Sequence, residues 1–420
     1  MSGREGAPKQ LGSLLEANPT RARALAMVLL LLFLANVFDP GGTFGLRYFA
    51  FGVAVLSTFW TWTYFDLSAR ALTTGLILFV VWPAWSLLLG AARGGDPFMA
   101  IVQVAPFIFV PLLALLLPAL DDRTPSRLFY ACLFFLALGV IVLFTLIVSF
   151  PASSVGQTLL EYLTRLDEQE GYFSTRSLGD QNVPWIYFRS TLFLVPAFVY
   201  YLFMNRLMRA GVILLALGVT LSKAGLTIAL LFGVYYAGSA LFAGSAPILA
   251  DNTERLWRAR MRRFLPVTLI VGVAILIFSS LPAFSEEISD SWTGGSLTAE
   301  VRIGHIHSVM NLFLEHPSYL IVGQGVGVPF YSLGAFDYVQ NFEVDHLNAI
   351  RKFGLLWFLG FSAVVFYSAR RLIRCGEVEG RALGFALIAI YFAAGTNPVL
   401  LSDLFIILMT LSYFAQRSGA

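Results

Sequence analysis

The chain is a succession of apolar runs, most of them near the ~17–25 residues that carry a helix across a bilayer. Runs near residues 22–38, 46–63, 71–90, 98–118 and 128–150 come first, followed by one at 186–204. Others stand at 266–281, 347–368, 382–394 and 398–415. A water-soluble domain has no way to bury so many of them. Composition agrees, with 58% of residues hydrophobic, 13% charged and a mean hydropathy of +0.76. This is a polytopic membrane protein, and no nucleic-acid partner is expected.

The segment 211–242 does not fit a single span. As one helix it would run about 48 Å, too long for one ~30 Å hydrocarbon core and short for two. Charge resolves it. Arg206 and Arg209 precede the segment, and Arg255, Arg258, Arg260, Arg262 and Arg263 follow it. Both clusters belong on the cytoplasmic side, so an even number of crossings separates them. The segment then reads as a hairpin of two short or tilted helices, bent near Ser222-Lys223-Ala224-Gly225.

The expected fold is therefore all-α, with about 12 transmembrane helices, both termini cytoplasmic, and residues 1–420 forming one integral membrane domain. Two long outer loops are expected, at about 151–185 and 282–345. On this map nineteen of the 28 Lys and Arg lie inside and nine outside. No small-residue cleavage site precedes the first run, which reads as an uncleaved span. Cys132, in an apolar run, and Cys375, in a basic loop, suggest neither a disulfide framework nor a metal motif.

Polar character concentrates in residues 282–360, which hold all four histidines (His305, His307, His316, His346) and eight of the 25 acidic residues. Within it an amphipathic helix is expected, with Thr298 as N-cap, Glu300 in the first turn and Pro317 past the last. Ile306, Val309, Met310 and Phe313 form its apolar stripe, and Glu300, His307, Asn311 and Glu315 its polar face. Arg302 falls on the stripe, where it would reach the headgroup layer or snorkel along an apolar surface. Gly323-Gln324-Gly325-Val326-Gly327 lacks the spacing and the βαβ context of a dinucleotide fingerprint and reads as a close backbone turn. His305 and His307 face different ways and no ligand spacing is met, so no metal and no other cofactor is expected.

Against these acidic outer loops, three cations near the bilayer surface stand out. Lys223 lies at a hairpin tip where an ammonium is costly unless paired or wetted. Arg189 opens the span after the first long loop, and Arg302 is on its helix. The three could clamp a lipid diphosphate, or serve as separate headgroup anchors. His346 stands where the chain re-enters the membrane and could accept a proton from a sugar hydroxyl, or be structural. Glu343 is the other candidate acceptor; with Asp345 it could instead orient the imidazole.

At these residues the chain resembles the O-antigen ligase and O-antigen polymerase superfamily of bacterial envelope glycosyltransferases, over roughly its C-terminal half. Thr220-Leu221-Ser222-Lys223 is similar to that family's Thr-x-Ser-Arg/Lys element. Arg302, Glu315-His316-Pro317 and Gly323-x-Gly325-x-Gly327 resemble its Arg…Pro…Gly-x-Gly loop. Glu343-x-Asp345-His346-x-Asn348, then Gly354 and Gly360, resemble its return to the membrane.

The resemblance implies an inverting, metal-independent transfer of a glycan from undecaprenyl diphosphate to a sugar hydroxyl. The enzyme would lie in the bacterial inner (cytoplasmic) membrane with its site facing the periplasm. It implies Arg302, Lys223 and Arg189 as diphosphate ligands, and His346 or Glu343 as the base. Ligases show His directly followed by Asn, with a glycine further on. Here Gly354 follows His346 sooner, and counting back from it places Glu343 in the histidine's position. That, with Lys at 223, looks more like the polymerase branch, whose acceptor is a growing glycan rather than lipid A-core. A lipid-linked glycan transporter is the rival class, since cations within a membrane also line substrate paths.

Overall fold

The structure is a computed structural model that describes residues 19–42, 44–64, 67–121, 123–149, 173–178, 181–186, 189–220, 222–242, 297–375 and 377–415. The expected span at 266–281 and the arginines at 255–263 lie outside the described residues.

The first apolar runs form α1 (Pro19–Phe38) and α2 (Leu46–Thr61). The third is α3 (Ala69–Leu76), a π-helical turn (Ile77–Val81) and α4 (Trp82–Ala92). Ser68 caps α3 by accepting from the Ala71 amide, and the Trp357 indole donates to the Leu78 carbonyl inside the π turn at 2.8 Å. Asp96 caps α5 (Pro97–Val104), with Pro97 at its first position. After α5 come α6 (Phe109–Leu116) and α7 (Thr124–Ser149). A short antiparallel ribbon, β1 (Phe173–Leu178) with β2 (Gln181–Ile186), stands in the first long loop.

A 3₁₀ turn (Arg189–Phe193) leads into α8 (Leu194–Phe203), followed by α9 (Leu207–Val219) and α10 (Lys223–Phe242). The long polar loop contributes α11 (Leu297–Glu315), α12 (Pro317–Val322) and a tight ribbon of β3 (Phe330–Ser332) and β4 (Asp337–Val339). The chain ends with α13 (Asp345–Phe353), α14 (Leu355–Arg374), α15 (Val378–Ala393) and α16 (Asp403–Phe414).

Among the described residues five helical stretches are long and apolar enough to cross a membrane: Pro19–Phe38, Ala71–Ala92, Pro97–Ala119, Thr124–Ile147 and Leu355–Arg374. Shorter apolar helices, among them Arg189–Phe203, Leu207–Val219 and Asp403–Phe414, pack between them. The architecture is that of an all-α membrane protein. Helices α8 and α16 are buried along nearly their whole length, as helices that are apolar all round should be.

The segment 211–242 is broken where the charge argument puts its bend. Ser222 starts α10, its Oγ accepting from the Gly225 amide. The Tyr236 hydroxyl returns to Asn205 Oδ1 at 3.4 Å, so α9 and α10 run antiparallel.

Polar contacts between elements sort the described loops into the same two sets as the charge map. Arg123 pairs with Glu377 and Arg127 with Glu379 at one end. At the other, labelled the outer end after the expected topology, Arg47 pairs with Asp403, Arg93 donates to the Gly323 carbonyl, and the Asp96 amide donates to that of Gly327. No such contact joins one set to the other among the described residues.

The re-entry read as one span over 347–368 is instead two helices. Gly354 breaks it at φ 86°, and a Cβ there would collide with the Ile321 carbonyl. The reason lies just before the break. Arg351 and Lys352 are buried, and such cations need partners that lipid cannot supply. Arg351 donates to Gln324 Oε1 (2.6 Å), the carbonyls of Val328 (3.1 Å) and Gln340 (2.6 Å), and Asn348 Oδ1 (3.1 Å). Lys352 Nζ donates to Asn341 Oδ1. Thus α13 belongs to the outer polar assembly, and the membrane-length helix begins at Leu355.

Candidate functional site at the outer end of the bundle

The site is assembled on three consecutive residues of the turn after α15. The Ala394 carbonyl accepts from the Asp345 amide, holding the start of α13 at 3.2 Å. Gly395 faces His346, whose Nδ1 would lie 3.7 Å from a Cβ at that position. The Thr396 carbonyl accepts from Arg302 Nη2 at 3.4 Å. One turn therefore gathers residues from α11, α13 and α15.

Arg302 is held chiefly by Glu343. Both Nε and Nη2 reach Glu343 Oε2 at 2.6 Å, a charge-assisted contact that leaves Oε1 without a partner among the described residues. The pair is open to solvent, with side-chain exposures of 33% for Arg302 and 48% for Glu343. His346 is set deeper. Its ring lies 4.7 Å from that of Tyr391 and 5.7 Å from Phe358, and its Nε2 is buried without a hydrogen-bond partner among the described residues. Burial holds its imidazole below the ordinary histidine range, so it is neutral at pH 7. Asp345 does not turn to the imidazole. Its buried Oδ2 accepts from the Leu400 amide at 2.5 Å and fixes the following turn.

Arg189 reaches the same level by register. Tyr200 on α8 donates to Glu379 in the first turn of α15 at 3.0 Å, and the 3₁₀ turn Arg189–Phe193 that precedes α8 also packs against α15, which begins only at Val378, so the two helices are antiparallel. Arg189 lies eleven residues before Tyr200, and Tyr391, which flanks His346, twelve after Glu379. At about 1.5 Å per residue both sit at the same end of the bundle. Arg189 is exposed there. For Lys223 only the backbone is described. It begins α10, and a Cβ on nearby Gly225 would touch Val195 Cγ2 at 3.2 Å, which places the helix start against α8 about two turns below Arg189.

The outer assembly is clamped to the bundle by its glycine turn. The Gln324 and Gly325 amides donate to the carbonyls of Arg351 (2.6 Å) and Lys352 (3.1 Å), and the Gly327 amide to Gln103 Oε1 (3.1 Å). At Gly325, φ 96°, a Cβ would strike the Gly90 backbone of α4. The turn is a backbone-to-backbone interlock, as the spacing suggests.

The amphipathic helix spans Leu297–Glu315, with Glu300, His307, Asn311 and Glu315 exposed as expected. Its buried face is rotated from the expected stripe. Met310 is 49% exposed, whereas His305, Ser308, Val309 and Phe313 are buried. The cause is the β3–β4 ribbon, whose Ser332 Oγ lies 2.5 Å from His305 Nδ1 and whose Leu333 amide donates to Ser308 Oγ at 2.8 Å. Among the described residues no three His, Cys, Asp or Glu side chains are grouped to hold a metal ion. Sequence reasoning missed Arg351 as the organiser of this assembly. The available signal was a pair of adjacent cations inside a supposed span, which demands partners.

Fold and hydropathy define the class, an all-α membrane protein. The sequence matches no family model and no curated protein. Its chemistry has to be argued from the side chains at the outer end.

Proposed function

We propose that this end of the bundle transfers a glycan from undecaprenyl diphosphate to a hydroxyl of an acceptor glycan, as a repeat-unit polymerase of the bacterial inner membrane with its site facing the periplasm. The observation that carries the reading is the open Arg302–Glu343 pair beside a neutral histidine. A lipid diphosphate competes with Glu343 for the guanidinium, since the planar guanidinium fork binds a carboxylate or a phosphate bidentately and the phosphate carries more charge. Its arrival frees the carboxylate at the place where a sugar hydroxyl would stand.

The acceptor oxygen then attacks the anomeric carbon, its proton passes to the base, and the bond to the diphosphate breaks with inversion. Undecaprenyl diphosphate leaves with the electron pair, stabilised by Arg302. Arg189 and the lysine-bearing start of α10 add positive potential at the same end. Exposure favours Glu343 as the proton acceptor, because the free nitrogen of His346 is walled in by Tyr391 and Phe358. His346 then acts as a positioning residue at Gly395.

The test is transfer by purified protein from a lipid-diphosphate glycan, with Glu343→Gln and His346→Ala compared. Glu343→Gln is expected to lose transfer while still binding donor, and His346→Ala to retain a measurable fraction. The reverse ranking would move the base to His346. In cells, loss of the protein should leave single repeat units on the final acceptor. Long chains stranded on the lipid carrier would instead mark a ligase acting on lipid A-core, and intact transfer in both variants would sink the enzymatic reading.

A further inference from the structure

A second feature lies at the opposite, basic end of the bundle. A cavity of about 930 Å³ opens between α3, α6, α14 and α16, within the ~300–1,000 Å³ range of small-ligand pockets. It exists because the π turn Ile77–Val81 widens one wall while Gly360 and Ala363 leave the facing wall thin. Its lining is apolar, including Leu72, Val110 and Met409. Leu76, Val80 and Tyr367 are exposed on its rim, so it opens sideways, towards the bilayer of a membrane-embedded bundle.

Among the described residues one charged side chain belongs to the lining, Arg371, in the last turn of α14. It is exposed and has no carboxylate partner among the described residues, unlike Arg123 and Arg127 at the same end. Arg70 stands in the chain between the lining residues Ser68 and Ala71. An apolar slot open to lipid, with a guanidinium lacking a carboxylate partner at its mouth and no acidic residue in its walls among the described residues, is complementary to one chemistry: an acyl chain bearing a phosphate.

We propose that this cavity binds an anionic phospholipid, one acyl chain filling the slot and the phosphate held by Arg371. The charge map puts this end on the cytoplasmic side, whose leaflet surface is negative and where basic pockets between helices hold lipid headgroups. The site is separate from the outer-end chemistry and does not depend on it.

The experiment titrates delipidated full-length protein with phosphatidylglycerol or phosphatidylcholine and counts bound lipid by native mass spectrometry. Wild type is expected to prefer phosphatidylglycerol by about fivefold or more, the worth of roughly one surface charge. Arg371→Gln should abolish that preference and Arg371→Lys keep it. Ala363→Phe, which fills the slot, should lower occupancy by both lipids. Equal binding of the two lipids by wild type, an unchanged preference in Arg371→Gln, or full occupancy in Ala363→Phe would each overturn the proposal. So would displacement of phosphatidylglycerol by a polyprenyl phosphate at lower concentration, which would assign the slot to a carrier lipid.

Discussion

Two arginine–glutamate pairs stand at opposite ends of this bundle and are built differently. At the basic end Glu379 is enclosed, its side chain 8% exposed. It accepts from Arg127 Nη2 (2.9 Å) and Nε (3.3 Å), Tyr200 (3.0 Å) and Ser126 (3.3 Å), and Tyr200 stacks on Tyr130 at 3.8 Å. Both of its carboxylate oxygens have donors. At the outer end Glu343 is 48% exposed and holds Arg302 through one oxygen only. A saturated pair is a fastener, because any ligand would have to break several bonds to enter. An unsaturated pair beside an open surface can exchange its partner.

The largest expected difference between the two ends is in rate. Arg302→Ala should lower transfer by about 10²–10³, the order seen when one charged contact to a transition state is removed. Arg127→Ala should leave the rate of folded protein nearly unchanged. Its cost is in stability, about 1–3 kcal/mol, because Glu379 keeps its tyrosine and serine but loses its cation. Turnover per folded molecule and the thermal midpoint, measured on both variants, separate the roles. Wild-type turnover by Arg302→Ala would erase the distinction and reduce the outer pair to a fastener as well.

Next comes the hold of the outer assembly on the bundle. Gly325→Ala forces a Cβ onto Gly90 at a positive φ, combining a left-handed penalty with overpacking, together about 2–5 kcal/mol. Protease sensitivity of residues 297–353 should rise sharply, while contacts around Glu379 persist. Uniform destabilisation of both ends would show that the two regions unfold as one unit.

How much of this was legible in the sequence follows from how local each signal is. The apolar runs, the break at Ser222 and the end of α11 are written in neighbouring residues: an apolar run, a capping serine, a helix ended by Pro317, whereas Thr298, expected as the N-cap, lies inside the helix. The rotation of α11 was not legible, because Met310 and Ser308 trade places only once a ribbon from residues 330–339 lies against the helix. That ribbon docks through amides and one serine, which leave no hydrophobic pattern. The break at Gly354 was half legible. Arg351 and Lys352 announced a conflict inside the apolar run, but their partners, Gln324, Gln340 and Asn341, are scattered along a polar loop. Of the site residues, Arg302, Glu343 and His346 meet at one turn, yet nothing in the sequence pairs Arg302 with Glu343 rather than with a headgroup.

The smallest expected effect is a pH dependence confined to the outer end. Ser332 Oγ already accepts from the Gly334 (3.1 Å) and Ala335 (3.3 Å) amides, so both lone pairs are in use and its proton points to His305 Nδ1. A protonated imidazole would find no acceptor there. Burial accordingly pushes His305 below its ordinary range, with nearby Glu343 opposing. The sign follows. The undocked ribbon frees a histidine that takes a proton near pH ~6.5, whereas the docked form does not, so docking is at full strength above that pH and weakens as pH falls. The change is at most about tenfold per pH unit. Exchange of the Phe330–Val339 amides, corrected for intrinsic rates, should quicken between pH 7.5 and 5.5, and His305→Gln should flatten the response. Amides near Tyr200 and Glu379, where the pair is saturated and no histidine intervenes, should stay flat throughout. Equal pH responses at the two ends would mean that His305 is not the group that titrates.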